Sequence, residues 1–247
     1  MSARPPDPGL TVTVERLRRL AGRSSDASGH FPAMYAYVTG AMQQRVVSGD
    51  LADPVRTAAF TRTFADLYLT AAGDRAIAAR CWRASWDVAS DQRLLIVQHL
   101  LLGINAHVNY DLPQAVVATA DRTASLAPLR TDFDAVNDVL AEAYGHVVRR
   151  LDGVSRWTSA AAALDGGRLF NFSLRAARDQ AWGAAERLHV LDPPQRAEYL
   201  KDLDRLVGVL AYLVTRPPLP VRVLLPVVRR GEVHDPRRVT AALLGAG

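Results

Sequence analysis

The chain has 247 residues, 49% hydrophobic and 22% charged, with a formal net charge of +5 and one cysteine. That length suits one sizeable core, and no apolar run approaches the roughly 20 residues that a membrane-spanning helix needs. The lone Cys81 excludes an internal disulfide and a thiolate zinc cluster, and the start, with Pro5, Pro6 and Pro8, is unlike a secretory signal, so the expected location is cytoplasmic.

Apolar spacing predicts helices near 12–22, 32–48, 54–72, 74–89, 91–110, 113–126, 132–151, 165–189, 193–215 and 236–244. Three of them begin at an aspartate followed by proline, Asp53-Pro54, Asp192-Pro193 and Asp235-Pro236, where the carboxylate caps the helix and the missing proline N–H costs nothing. Stripes such as Phe64, Leu67, Tyr68 and Ala71, or Leu203, Leu206, Val207 and Leu210, suit bundle packing. No segment alternates with period two, and Pro220 and Pro226 interrupt the β-branched run Val221–Val228. The expected fold is therefore all-α, a single-domain multi-helix bundle of about eight to ten helices. Its expected organisation is a flexible N-terminus over 1–10, a helical bundle over 11–215, and a proline- and arginine-rich C-terminal extension over 216–247 with a short helix.

The informative stretch is Ser90 to Thr119, which places Gln98, His99, Asn105, His107, Asn109 and Asp111 among leucines, isoleucine and valine. Buried polar groups need partners, since an unpaired amide or hydroxyl costs on the order of 1–3 kcal/mol. At about 100° per residue, His107 and Asp111 stand one turn apart and can reach one point beside the helix. Gln98, Asn105 and Asn109 share a different side, and His99 lies between. Gly103, one turn before His107, lets a neighbour approach the backbone, and Pro113 is expected to end or kink the helix just after Asp111.

A histidine and a carboxylate four apart can bind a divalent metal (zinc, iron or manganese), with His99 as a third ligand. They can equally form a metal-free catalytic or ligand site, or a structural network at the helix bend. Asp134, Asp138 and Glu142 line another helix, where Thr131 or Asp132 is the expected cap, and no aspartate-rich magnesium motif for diphosphate chemistry accompanies them. Arg178 and Trp182 stand one turn apart, and a buried arginine there could pair with Asp111 or another acid. Cys81, beside Trp82 and among alanines, reads as packing.

The sequence lacks a glycine-rich phosphate loop, a GxSxG elbow and HExxH. Arginines alternate with acids over most of the chain; the one local excess runs from Arg216 to Arg238 and reads as a basic tail, so nucleic acid is not the expected partner.

The segments LLGINAHVNYDLPQAVV (101–117), DFDAVNDVL (132–140) and SLRAARDQAW (173–182) resemble a bacterial family of unknown function, domain 5995, over most of 30–190. The resemblance implies a helical fold and a shared site at Asn105, His107, Asn109 and Asp111, without an established activity. The expectation is a small enzyme acting on a small, largely apolar metabolite, with hydrolase-, cyclase- or oxygenase-like chemistry, metal-assisted or not. In it His107, Asp111, Asn105 and Asn109 are catalytic, and Gln98, His99, Trp182 and Arg178 touch the substrate. The alternative is a non-enzymatic binding or interaction domain whose polar helix is structural.

Overall fold

The computed structural model describes residues 5–49, 51–120, 125–156 and 168–245. Every named element is helical: α1 (Pro8–Arg23), α2 (His30–Ser48), α3 (Pro54–Gly73), α4 (Arg80–Asp87), α5 (Ile96–Ala106), α6 (Leu112–Thr119), α7 (Ala127–Leu151), α8 (Arg168–Val190), α9 (Pro193–Thr215), α10 (Leu219–Arg229) and α11 (Pro236–Leu244). The only extended pairing among the described residues is the isolated bridge of Ser155 with Glu232. The all-α reading holds, and among the described residues no helix is long and apolar enough to cross a membrane.

The three Asp-Pro signals work as caps. Asp53 accepts from the Arg56 N–H, Asp235 from that of Arg237, and Asp192 forms a reciprocal capping box with Gln195. A fourth, Asp7-Pro8, starts α1 earlier than expected, with Asp7 accepting from the Leu10 N–H. Asp132 is no cap. Helix α7 already begins at Ala127, and the buried Asp132 carboxylate instead accepts the N–H groups of Ala52 and Asp53, fastening the start of α3 to α7. The stretch 74–79 is a turn rather than a helix start, and α4 begins where Asp204 of α9 receives the Arg80 and Cys81 N–H groups.

Helix α5 continues into α6 through a π-turn over His107–Asp111, so Pro113 does not end the helix. The Leu112 N–H reaches back five residues to the His107 carbonyl, and Asp111 and Leu112 keep right-handed helical backbone despite the following proline. The wider turn absorbs the break in the ladder that proline would otherwise impose. This rod is apolar on nearly every side because it touches four core clusters, Leu102 packing with Leu94 and Ala211. Ile96 and Leu100 pack with Leu151 and Leu243, Ala106 with Phe31, Tyr68 and Trp82, and Leu112 and Val116 with Phe133 and Trp182. Gly103 sits where Phe31 of α2 crosses, since a Cβ built there would stand 2.5 Å from the Phe31 ring.

Candidate functional site

The π-turn sets His107 and Asp111 together, with Nδ1 of His107 3.0 Å from Oδ2 of Asp111. Both residues are 3% exposed. Trp82 of α4 donates its indole N–H to the same carboxylate oxygen at 3.0 Å. A carboxylate only accepts, so Nδ1 carries the proton and Nε2 presents its lone pair. Nε2 is buried and has no hydrogen-bond partner among the described residues. Phe64 stacks flat on the imidazole, centroids 3.6 Å apart and planes 4° apart, while Tyr35 meets it edge-on at 4.5 Å. Burial in this aromatic cage pushes the His107 pKa below its ordinary value, against the pull of Asp111. Burial pushes that of Asp111 upward, opposed by the bonds from His107 and Trp82.

His107 forms part of the wall of a cavity of about 820 Å³ between α2, α3, α5 and α7, closed on one side by α10. The wall is mainly apolar, including Met42, Leu100, Ile104, Val136 and Leu140, with His107, Arg178 and Glu232 among its few ionisable groups. Arg178 donates through Nε to Asn137 Oδ1 at 2.8 Å and through Nη2 to the Phe133 carbonyl at 2.6 Å, and its guanidinium lies 4.1 Å from the Phe133 ring centroid. It does not pair with Asp111. The nearby acids Asp134 and Asp179 both pair with Arg130 instead. Burial lowers the Arg178 pKa to about 10, so it stays cationic at neutral pH.

The remaining candidate residues lie outside this cavity. Asn105 donates to the Val207 carbonyl of α9 at 2.9 Å, and Asn109 donates to Asn105 at 2.9 Å, a polar ladder that holds the rod against α9. Asn109 also borders a separate groove of about 600 Å³ between α8 and α9. Gln98 accepts from the Leu95 N–H and donates to the Val214 carbonyl. Trp182 donates to Glu186 and packs on Phe133. His99 is not brought to the His107–Asp111 pair but meets His30 edge-on at 5.9 Å. Among the described residues no three His, Cys, Asp or Glu side chains gather as a metal would require. Sequence reasoning missed the aromatic cage: Tyr35 and Phe64 come from α2 and α3, and nothing in the local spacing ties them to His107.

An all-helical bundle with a histidine–aspartate pair facing an apolar cavity is the class this geometry defines. Residues 10–217 match the model described as "Family of unknown function (DUF5995)", and the chain belongs to that family. No curated protein and no solved structure matches it.

Proposed function

We propose that the protein is a small enzyme that admits a largely apolar molecule to the cavity and moves a proton on it through His107 Nε2. The observation that carries this reading is the unpartnered nitrogen itself: a buried, carboxylate-backed imidazole in an apolar wall has a lone pair and nothing to receive. Asp111 and Trp82 fix the tautomer and ring plane, and Asp111 stabilises the imidazolium that forms on proton uptake. Arg178 provides a fixed positive charge for an anionic or carbonyl end of the substrate. We read the dyad as acting without a metal because, among the described residues, no group of three His, Cys, Asp or Glu side chains forms around it to complete a ligand set. The rival is a ligand-binding protein in which Nε2 only accepts a hydrogen bond; the same cavity supports it.

A substrate-independent test is the base-catalysed ring opening of 5-nitrobenzisoxazole, which needs one proton removed from carbon and no nucleophile. The wild-type protein should exceed His107→Ala by roughly 10²-fold or more, and Asp111→Asn should fall between them. Added chelator should change nothing. A wild-type rate no higher than that of His107→Ala would remove the base assignment and leave the binding reading.

A further inference from the structure

The exposed large apolar side chains concentrate on two consecutive helices. On α9, Leu206, Val209, Leu210 and Leu213 recur at helical spacing and are all exposed, Leu206 and Leu210 lining the groove against α8. On α10, Leu219, Val223 and Val227 are spaced by four and are 66%, 66% and 52% exposed. Single exposed apolar residues are ordinary, but a periodic row on adjacent elements marks a contact surface. From 206 to 231 the chain has no aspartate or glutamate, yet it carries Arg216, Arg222, Arg229 and Arg230. Arg229 is engaged by the Gln92 carbonyl and Glu232. Arg216, Arg222 and Arg230 are exposed beside the apolar row.

We infer that α10 is a membrane-docking helix, with its exposed row entering the headgroup region of an anionic bilayer and the flanking arginines meeting its phosphates. An apolar face framed by cations is the pattern of helices that lie on such a surface. Among the described residues no helix is long and apolar enough to cross the bilayer, so the contact we infer is a peripheral one. A second copy of the chain fits the face less well, because a two-fold contact would bring these arginines against their own counterparts with no acid in the segment to pair them. Helix α10 also borders the cavity, through Val228 and through Leu224, which is itself 61% exposed. The docked helix is therefore the wall between bilayer and cavity, and the ligand class becomes a single-chain amphiphile drawn from the membrane. That last step rests on the apolar-cavity reading above; the docking does not.

The test is flotation of the full chain with vesicles of phosphatidylcholine and phosphatidylglycerol, beside phosphatidylcholine alone, with binding of a dansyl-labelled undecanoic acid measured in solution. Binding should require the anionic lipid and weaken in high salt. Val223→Asp with Val227→Asp, both at exposed positions, should lower the bound fraction at least about tenfold. Arg222→Gln with Arg230→Gln should lower it several-fold, and all variants should keep the wild-type circular dichroism. No flotation with the anionic vesicles, flotation indifferent to both double variants, or a stable dimer dissociated by the valine variants would each overturn the docking face. Flotation without any binding of the dansyl probe would keep the docking face and remove the cavity reading; the reverse would keep the cavity and remove the face.

Discussion

Two ionisable side chains in the cavity wall stand in opposite electrostatic conditions. His107 is held neutral by burial, with its one remaining lone pair unused, whereas Arg178 stays charged and bonds neutral acceptors. A buried cation without an ion-pair partner favours an anion that enters its surroundings. Replacing Arg178 by methionine keeps the volume and removes that attraction, so Arg178→Met should weaken dodecanoate binding about tenfold, or about 1.4 kcal/mol, while leaving dodecanol binding unchanged. Calorimetric titration of both ligands checks it; equal losses for the acid and the alcohol would mean that Arg178 only shapes the wall. The His107–Asp111 pair was legible in the sequence because it is local, four residues apart on one helix. Trp82, Phe64 and Tyr35 complete the site from other helices, and no spacing rule links residues that meet only after the bundle has closed.

At the scale of elements, legibility followed local chemistry. The three helices expected to open at Asp53-Pro54, Asp192-Pro193 and Asp235-Pro236 begin within a residue or two of that expectation, because cap and proline act on the first turn alone. Helix α10 was missed because Pro220 and Pro226 argue against regular structure there, although Pro220 stands in the first turn, where its lack of an N–H is harmless. Pro113 signals an end or a kink, and the wider turn that lets α5 continue into α6 needs the tertiary packing around it. Gly103 illustrates how tight that packing is. A methyl group there meets Phe31 at 2.5 Å, and Phe31 in turn lies 5.5 Å from the His107 ring and 5.4 Å from that of Trp82. Gly103→Ala is therefore expected to destabilise the protein by about 1–3 kcal/mol despite alanine's better helix propensity, and to disturb the cage around His107. Urea unfolding monitored by tryptophan fluorescence checks it; a variant as stable as the wild type would show that Phe31 yields without cost.

For the whole molecule, burial of histidines couples stability to pH. His30 and His99 meet under α11 and His107 lies in the cage, all three pushed below the ordinary imidazole value, with His30 down to about 4. Desolvation is the leading cause in each; His99 and Arg229 add to it at His30, and Asp26 opposes it. A histidine depressed in the folded state contributes stability that is present above its unfolded value near 6.5 and is lost as pH falls toward its folded value. Asp111 and Glu232 act in the opposite sense, because their folded values are raised: the folded protein gains relative stability as pH falls and they take up protons. Between about pH 6.5 and 4.5 His30, with its folded value near 4, contributes up to about 1.4 kcal/mol per pH unit, and His99 and His107 act in the same direction. Wild-type stability in urea should therefore fall on acidification through that window. His30→Leu fills the same apolar niche with a side chain that cannot be protonated, so it should flatten the slope by about one proton's worth while leaving the dyad's chemistry intact. A slope unchanged in His30→Leu would place the acid sensitivity elsewhere, at His99 or His107.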